Sequence, residues 1–172
     1  DLHAIQLKDR PSLFVGHQSA ITSITINRNF NVALSTDSNG RCIVWDMNKQ
    51  QYLRTILDTN HHNVSVSMST ISNTLGDMAV VTYTTSKQVL TSQLYVFTLN
   101  GQPVADIHTN RSEPYITAVC YSSCPEGISI NVICTGLSDG SIKLWSSWDL
   151  TLIRTIHSDL ISLSLNSSPI IR

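Results

Sequence analysis

Charge is scarce in this 172-residue sequence: 13% of residues are Asp, Glu, Lys or Arg, and the formal net charge is −1. No Lys/Arg cluster breaks that sparseness, which argues against nucleic acid as a main partner. No apolar run approaches the roughly 20 residues a helix needs to span a bilayer. The chain opens at Asp1 without a Met, a basic n-region or an apolar h-region, so no signal peptide is expected and the sequence reads as a piece of something longer. Its four cysteines, Cys42, Cys120, Cys124 and Cys134, form no C-x-x-C pair, and no His cluster completes a zinc set. Cys42 and Cys134 lie in apolar stretches, where a reduced thiol behaves as a small hydrophobe, so a reducing, cytoplasmic setting is expected. A helical period of useful length is missing throughout. So are a Gly-rich phosphate cradle, a G-x-S-x-G elbow, a working carboxylate pair and a metal triad. These absences leave no catalytic residue, cofactor or metal to expect, and they are consistent with a binding scaffold.

What is present is a repeat rich in Ser and Thr, which suits strands and turns. Ser35-Thr36-Asp37-Ser38-Asn39-Gly40-Arg41-Cys42-Ile43-Val44-Trp45-Asp46 reads as strand, tight turn and second strand ending in Trp-Asp. Gly16-His17 stands upstream, just before the apolar positions Ile21, Ile24 and Ile26. A hundred residues on the text returns: Gly40 answers to Gly140, Trp45 to Trp145, and Arg54-Thr55-Ile56 to Arg154-Thr155-Ile156. Gly-His early and Trp-Asp late in one repeat is the signature of a four-stranded propeller blade.

The expected organisation follows. Residues 1–15 end a preceding blade, with strands over Leu2 to Leu7 and Ser12 to Val15 around a turn at Asp9-Arg10-Pro11. Residues 16–57 form one repeat, with strands at 20–27, 32–36, 41–45 and 51–57. The 21/24/26 spacing departs from strict alternation and suggests a bulge. Residues 58–108 form a degenerate repeat in which His61-His62 replaces Gly-His and Phe97 takes the Trp position. Residues 109–156 form a third, where Ile116, Val119 and Tyr121 repeat the bulged pattern and Leu150 to Ile156 is the outer strand. Residues 157–172 restart it with Leu160, Leu163 and Leu165. Trp45 to Phe97 spans 52 residues and Phe97 to Trp145 spans 48, beyond the usual 40–45, so both carry loop insertions. The fold class is all-β: about three four-stranded blades with partial blades at both ends. Such an open arc leaves terminal faces bare, so the isolated chain is expected to associate.

The marked polar residues suit a hydrogen-bonded chain of His, Ser/Thr, acid and Trp, because a buried indole N–H needs an acceptor. In the first repeat this set is His17, Ser35, Asn39 and Trp45, with Asp37 close enough to substitute for Asn39. In the third it is Thr135, Asp139 and Trp145, with Ser112 in the His position. The role is polar satisfaction in a core rather than catalysis, since His17 has no nucleophile motif nearby. His61-His62 lacks a third metal ligand, and Trp148-Asp149 reads as a packing lid on the outer strand. The segment 84–93 is too long for a tight turn. Its centre, Ser86, Lys87, Gln88, Val89 and Leu90, is the candidate partner-binding loop, on the rim where second-to-third-strand turns open.

The repeats resemble WD40 repeats over nearly the whole chain. A more specific likeness lies in Cys124-Pro125-Glu126-Gly127-Ile128-Ser129-Ile130-Asn131-Val132-Ile133, continuing to Gly136-Leu137 and Leu144-Trp145-Ser146-Ser147-Trp148-Asp149-Leu150. With Asn100-Gly101-Gln102-Pro103, it is similar to the C-terminal WD40 region of BEACH-domain proteins. That resemblance implies a very large cytosolic scaffold acting in vesicle and lysosome traffic, peripheral on those membranes, in which a PH-like module and a BEACH domain precede the propeller. Other proteins and those adjoining domains would be its partners. A WD40 substrate receptor or adaptor for a ubiquitin ligase is an alternative. An enzyme built on a propeller is disfavoured, because charged residues do not recur at equivalent repeat positions.

Overall fold

The computed structural model describes residues 13–59, 64–86, 88–122 and 131–157. The strand expected over Leu2 to Leu7, the pair His61-His62 and the restart at Leu160 lie outside them. The described residues form twelve strands and no helix. They are β1 (Ile21–Asn27), β2 (Val32–Asp37), β3 (Arg41–Asp46), β4 (Gln51–Asp58), β5 (Val64–Ile71) and β6 (Met78–Ser86), followed by β7 (Val89–Phe97), β8 (Pro103–His108), β9 (Ile116–Tyr121), β10 (Val132–Leu137), β11 (Ile142–Ser146) and β12 (Leu152–Ile156). Consecutive strands pair antiparallel into three four-stranded sheets, β1 to β4, β5 to β8 and β9 to β12.

The sheets share irregularities as well as order. Each innermost strand carries one extra residue, at Thr22, Ser67 and Thr117. Each outermost strand carries another beside the aromatic end of its neighbour, at Leu53, Val104 and Ile153. An extra residue locally bends and twists a strand, so equivalent bulges give the sheets matching shapes to stack. The apolar spacing at 21/24/26 is the sequence trace of the first bulge.

Alternation assigns each sheet two faces. Trp45, Ile43 and Ala33 point to one side of the first sheet. Leu34, Cys42 and Val44 point to the other, where they meet Val66, Met78, Val80 and Phe97 of the second. The second sheet's reverse face, Ala79, Val81, Leu94 and Val96, meets Ile133, Ile116 and Trp145 of the third. Full burial of one such side chain contributes roughly 1.5–3 kcal/mol, against about 1 kcal/mol for a hydrogen bond. Apolar packing therefore dominates the stacking, while polar bonds fix its register. Ser23 Oγ bonds Ser69 Oγ at 3.0 Å, and Asn27 Nδ2 donates to the Ser72 carbonyl at 2.7 Å.

Three expectations are corrected. Leu13 to Val15 form no strand; Phe14 turns in to meet Trp45 edge-on at 5.2 Å. The outer strand of the third sheet begins at Leu152, not Leu150, because Leu150 sits at φ 54, outside the extended region. Gln50, its counterpart a hundred residues earlier, has the same φ of 54. Trp148 is 64% exposed, too open for a packing lid.

Candidate interaction site

Two places concentrate polar chemistry: the Trp45 side of the first sheet and the hairpin that joins β6 to β7. In the first, the segment 13–19 lies against β2 and β3. Gly16 permits that approach, since a Cβ there would come within 3.1 Å of both Ile43 and Trp45. Arg41 donates to the Gly16 carbonyl at 3.1 Å and pairs with Asp58 at 2.8 Å, which holds the segment down. His17 is then delivered between Asp37 and Ser35. Its Nδ1 lies 2.7 Å from Asp37 Oδ2 and its Nε2 lies 2.6 Å from Ser35 Oγ, while Trp45 Nε1 donates to the same Ser35 oxygen at 2.7 Å. A carboxylate only accepts, so Nδ1–H donates to Asp37; with the Ser35 hydroxyl hydrogen turned to Nε2, every polar atom of the set is paired. Burial pushes the Asp37 carboxyl up. The bond from His17 and the Arg41 and Asn39 backbone N–H groups, each 3.0 Å from Oδ1, outweigh it and hold the carboxyl below its ordinary 3.8.

The acid of this set is therefore Asp37, and Asn39 takes part only through its N–H. In the third sheet Trp145 Nε1 donates to Thr135 Oγ1 at 2.8 Å. Asp139 does not join them. It occupies the position of Asn39, and Leu137 stands where Asp37 would be. Asp139 instead accepts the Ser141 hydroxyl at 2.7 Å and N–H at 2.9 Å, which lowers its carboxyl. Ser112 is exposed and stays out of the set. Lys143 lies 5.6 Å over the Trp145 ring. In the second sheet Val80 and Phe97 take the Ser and Trp positions, so no buried donor needs an acceptor.

The second place differs from its sequence reading. Residues 84–93 are not a loop: Thr84 pairs with Thr91, Thr85 with Leu90 and Ser86 with Val89, leaving two residues between the strands. β-Branched residues on both arms favour this extension. The first sheet turns back after the pairs equivalent to Val81–Leu94 and Thr82–Gln93. The four further pairs of the second sheet, from Tyr83–Ser92 outward, carry its hairpin about 13 Å beyond that level. Thr85, Ser86 and Gln88 are exposed, Val89 and Leu90 half-buried, and Gln88 adopts φ 64; Lys87 lies outside the described residues. The base is fixed. Ser92 Oγ accepts the Ile116 N–H at 2.9 Å, and the Tyr83 hydroxyl donates to the Ile116 carbonyl at 2.5 Å. Tyr83 also meets Tyr115 edge-on at 6.0 Å. This anchor escapes sequence reasoning because Tyr83, Ser92 and Ile116 belong to different elements with no shared motif.

Among the described residues no group of three or more His, Cys, Asp or Glu side chains could hold a metal. Among the same residues no helix is long and apolar enough to cross a membrane. The family model for the WD domain, G-beta repeat, matches residues 9–46 and 95–146, more than half of the chain. The chain belongs to the WD40 repeat family. This WD40 region is similar to the human lysosomal-trafficking regulator, 36% identical over 141 residues that make up 82% of this chain and 4% of that protein. The Drosophila melanogaster lysosomal-trafficking regulator is 30% identical, over 83% of this chain and 5% of its own length. Mouse WD repeat- and FYVE domain-containing protein 4 is 29% identical, over 85% and 4%. The chain thus spans only 4–5% of these relatives. Among solved structures, the WD40 repeats of RRP9 match with TM-score 0.64 at 15% identity, over 84% of this chain and 40% of theirs. The computationally designed Ika4 protein matches with TM-score 0.53 at 23% identity, over 86% and 80%. These two likenesses concern the fold.

Proposed function

We propose that this WD40 region is a non-catalytic protein-interaction scaffold within a large BEACH-type protein of vesicle and lysosome traffic. It works on the cytoplasmic side, peripheral to those membranes, beside BEACH and PH-like parts of the parent chain. The observation that carries the reading is the β6–β7 hairpin: a rim feature about 13 Å longer than its counterpart in the first sheet, with Ser86 and Gln88 exposed at its tip and a base pinned through Ile116. A fixed base limits the conformational entropy lost when the tip engages a partner. The buried polar sets, by contrast, have all their groups occupied and serve packing. Similarity to the lysosomal-trafficking regulators of two organisms supports the trafficking context.

The test replaces residues 85–90 by a tight Ser-Asp-Gly turn in the parent protein, keeping Tyr83 and Ser92, and compares proximity-labelled partners with those of the wild type. Loss of trafficking components, with circular dichroism of the variant chain unchanged, is the expected result. An unchanged partner set would refute the role of the hairpin. Enrichment of ubiquitin-ligase components would favour the substrate-receptor alternative.

A further inference from the structure

The outer edge of the middle sheet carries a polar corner that neither the hairpin nor the buried sets use. In the ladder between β7 and β8, Gln93 stands opposite His108 and Tyr95 opposite Asp106, so alternation puts all four on one face. Three of their atoms converge. Gln93 Nε2 lies 3.0 Å from Asp106 Oδ2 and 2.9 Å from His108 Nε2, and those two lie 3.1 Å from each other. Asp106 and His108 are exposed and Gln93 is half-buried. The middle sheet is already flanked by the first and the third, so this exposure does not come from a chain end. No placement of hydrogens satisfies the triangle, because a carboxylate only accepts. With His108 Nε2 unprotonated, the Gln93 amide donates to both neighbours, and the His108 nitrogen and Asp106 oxygen then face each other as two acceptors. With Nε2 protonated, His108 donates to Asp106, but the amide nitrogen meets an N–H; reversed, the amide oxygen meets the carboxylate. A cation at the centre relieves all three edges.

The first sheet shows a cation built into the same corner. Arg41 and Asp58 hold the positions of Gln93 and His108, and the guanidinium lies with Nε 3.0 Å and Nη2 2.8 Å from Asp58 Oδ2. In the middle sheet a neutral glutamine replaces that arginine, while a carboxylate remains. We infer that this corner binds a divalent first-row transition ion, with zinc as its representative, through Asp106 Oδ2, His108 Nε2 and Gln93 Oε1. The amide presents its oxygen by a half-turn of its terminal bond. Tyr95 bonds the same amide, and its hydroxyl both donates and accepts, so it tolerates either end. Three ligands about 2.1 Å from one ion and at right angles to one another stand about 3.0 Å apart, which is the spacing of the triangle. An imidazole ligand selects zinc and its neighbours over magnesium or calcium. The solvent side of the ion stays open to water or to a donor group of a partner.

The experiment adds ZnCl2 to the 172-residue chain and follows the imidazole nitrogen resonances by nuclear magnetic resonance, with titration calorimetry for affinity. The His108 Nε2 resonance should shift on addition of one equivalent. His17, whose ring nitrogens are taken by Asp37 and Ser35, should not move. Asp106→Ala should abolish the His108 shift. Gln93→Arg should abolish it too, by restoring the built-in cation of the first sheet. Gln93→Glu should bind zinc more tightly, because a charged donor replaces a neutral one, an outcome that a purely structural role for Gln93 would not produce. Circular dichroism checks that each variant keeps its fold. An unmoved His108, a shift that survives Asp106→Ala or Gln93→Arg, or no gain in affinity with Gln93→Glu would each overturn the inference. So would loss of the shift in a chain carrying His61→Ala and His62→Ala, which would put the ion on other ligands.

Discussion

Ser35→Ala is the most informative single change to the buried polar set. The side chain removed is small, but its oxygen accepts the Trp45 indole N–H at 2.7 Å and bonds His17 Nε2 at 2.6 Å. Trp45 is 5% exposed and the His17 side chain 7%, so water does not readily replace the lost partner. Each orphaned buried polar group costs about 1–3 kcal/mol, and the two together about 2–6 kcal/mol. At this chain length that lowers Tm by roughly 5–25 °C. Thr135→Val in the third sheet is the internal control. It removes one acceptor, and Trp145 is half-buried, so the loss should be about 1 kcal/mol. Urea unfolding followed by far-ultraviolet circular dichroism, at one fixed protein concentration because association shifts apparent stability, would give both values. Repeating Ser35→Ala in a Trp45→Phe background should cut its cost by about 1 kcal/mol or more, as expected of directly bonded residues. The reasoning fails if Ser35→Ala costs under about 0.5 kcal/mol, or if Thr135→Val proves the more damaging.

Asp37→Asn should flatten the acid limb of stability. The Asp37 carboxyl lies below 3.8 in the fold, so near that pH the unfolded chain binds more protons. Its contribution is complete above the unfolded value and disappears as pH falls through the folded one; unfolding curves at pH 3 to 7 should show a weaker dependence in the variant. Gly40→Ala should cost about 2–4 kcal/mol in denaturant titration, because φ is 83 there and a Cβ would stand 1.9 Å from Thr59 Oγ1. Tyr121→Phe should be neutral or stabilising by up to about 1 kcal/mol, since the Tyr121 hydroxyl is buried without a hydrogen-bond partner and burial raises its ionisation. The Cys42 thiol, fully buried and pushed far up by that burial, should resist a thiol-reactive disulfide reagent until the chain unfolds, as absorbance-monitored labelling would show.

Sheet order and register were legible because they rest on local signals. Gly40 and Gly140 occupy turns at φ 83 and 82, where glycine is the permissive residue. The strands following them end in Trp at the same repeat position. The polar set was less legible because turn spacing does not say which of two acceptors faces inward. Asp37 ends β2 and reaches His17, whereas Asn39 lies at the turn and contributes its N–H. The β6–β7 hairpin was misread for a related reason: polar Thr and Ser suggest a loop by composition, while their β-branching and cross-strand pairing favour a ladder. The exposure of Trp148 and the turn conformation of Leu150 depend on the third sheet's outer bend, which residue type alone does not encode.

The uneven spread of polar groups has a common physical cause. Where a sheet's aromatic face is covered by another sheet, apolar contact does most of the positioning: Val80 and Phe97 meet Leu34 and Val44, and the third sheet adds only the bond from Trp145 to Thr135. Where the face is covered by an irregular segment, as residues 13–19 cover Trp45, there is no ladder to set the position. Directed bonds then do so, from Arg41 to Gly16 and from Asp37 and Ser35 to His17. The same logic governs the hairpin. Its base is held by Tyr83 and Ser92 on the two backbone groups of Ile116. Ile116 also adjoins the bulge of β9. A partner gripping the tip therefore acts on the bonds that register the third sheet against the second. Slower exchange of the Ile116 amide on partner binding would mark that coupling, and an unchanged amide would show that the tip moves independently of its base.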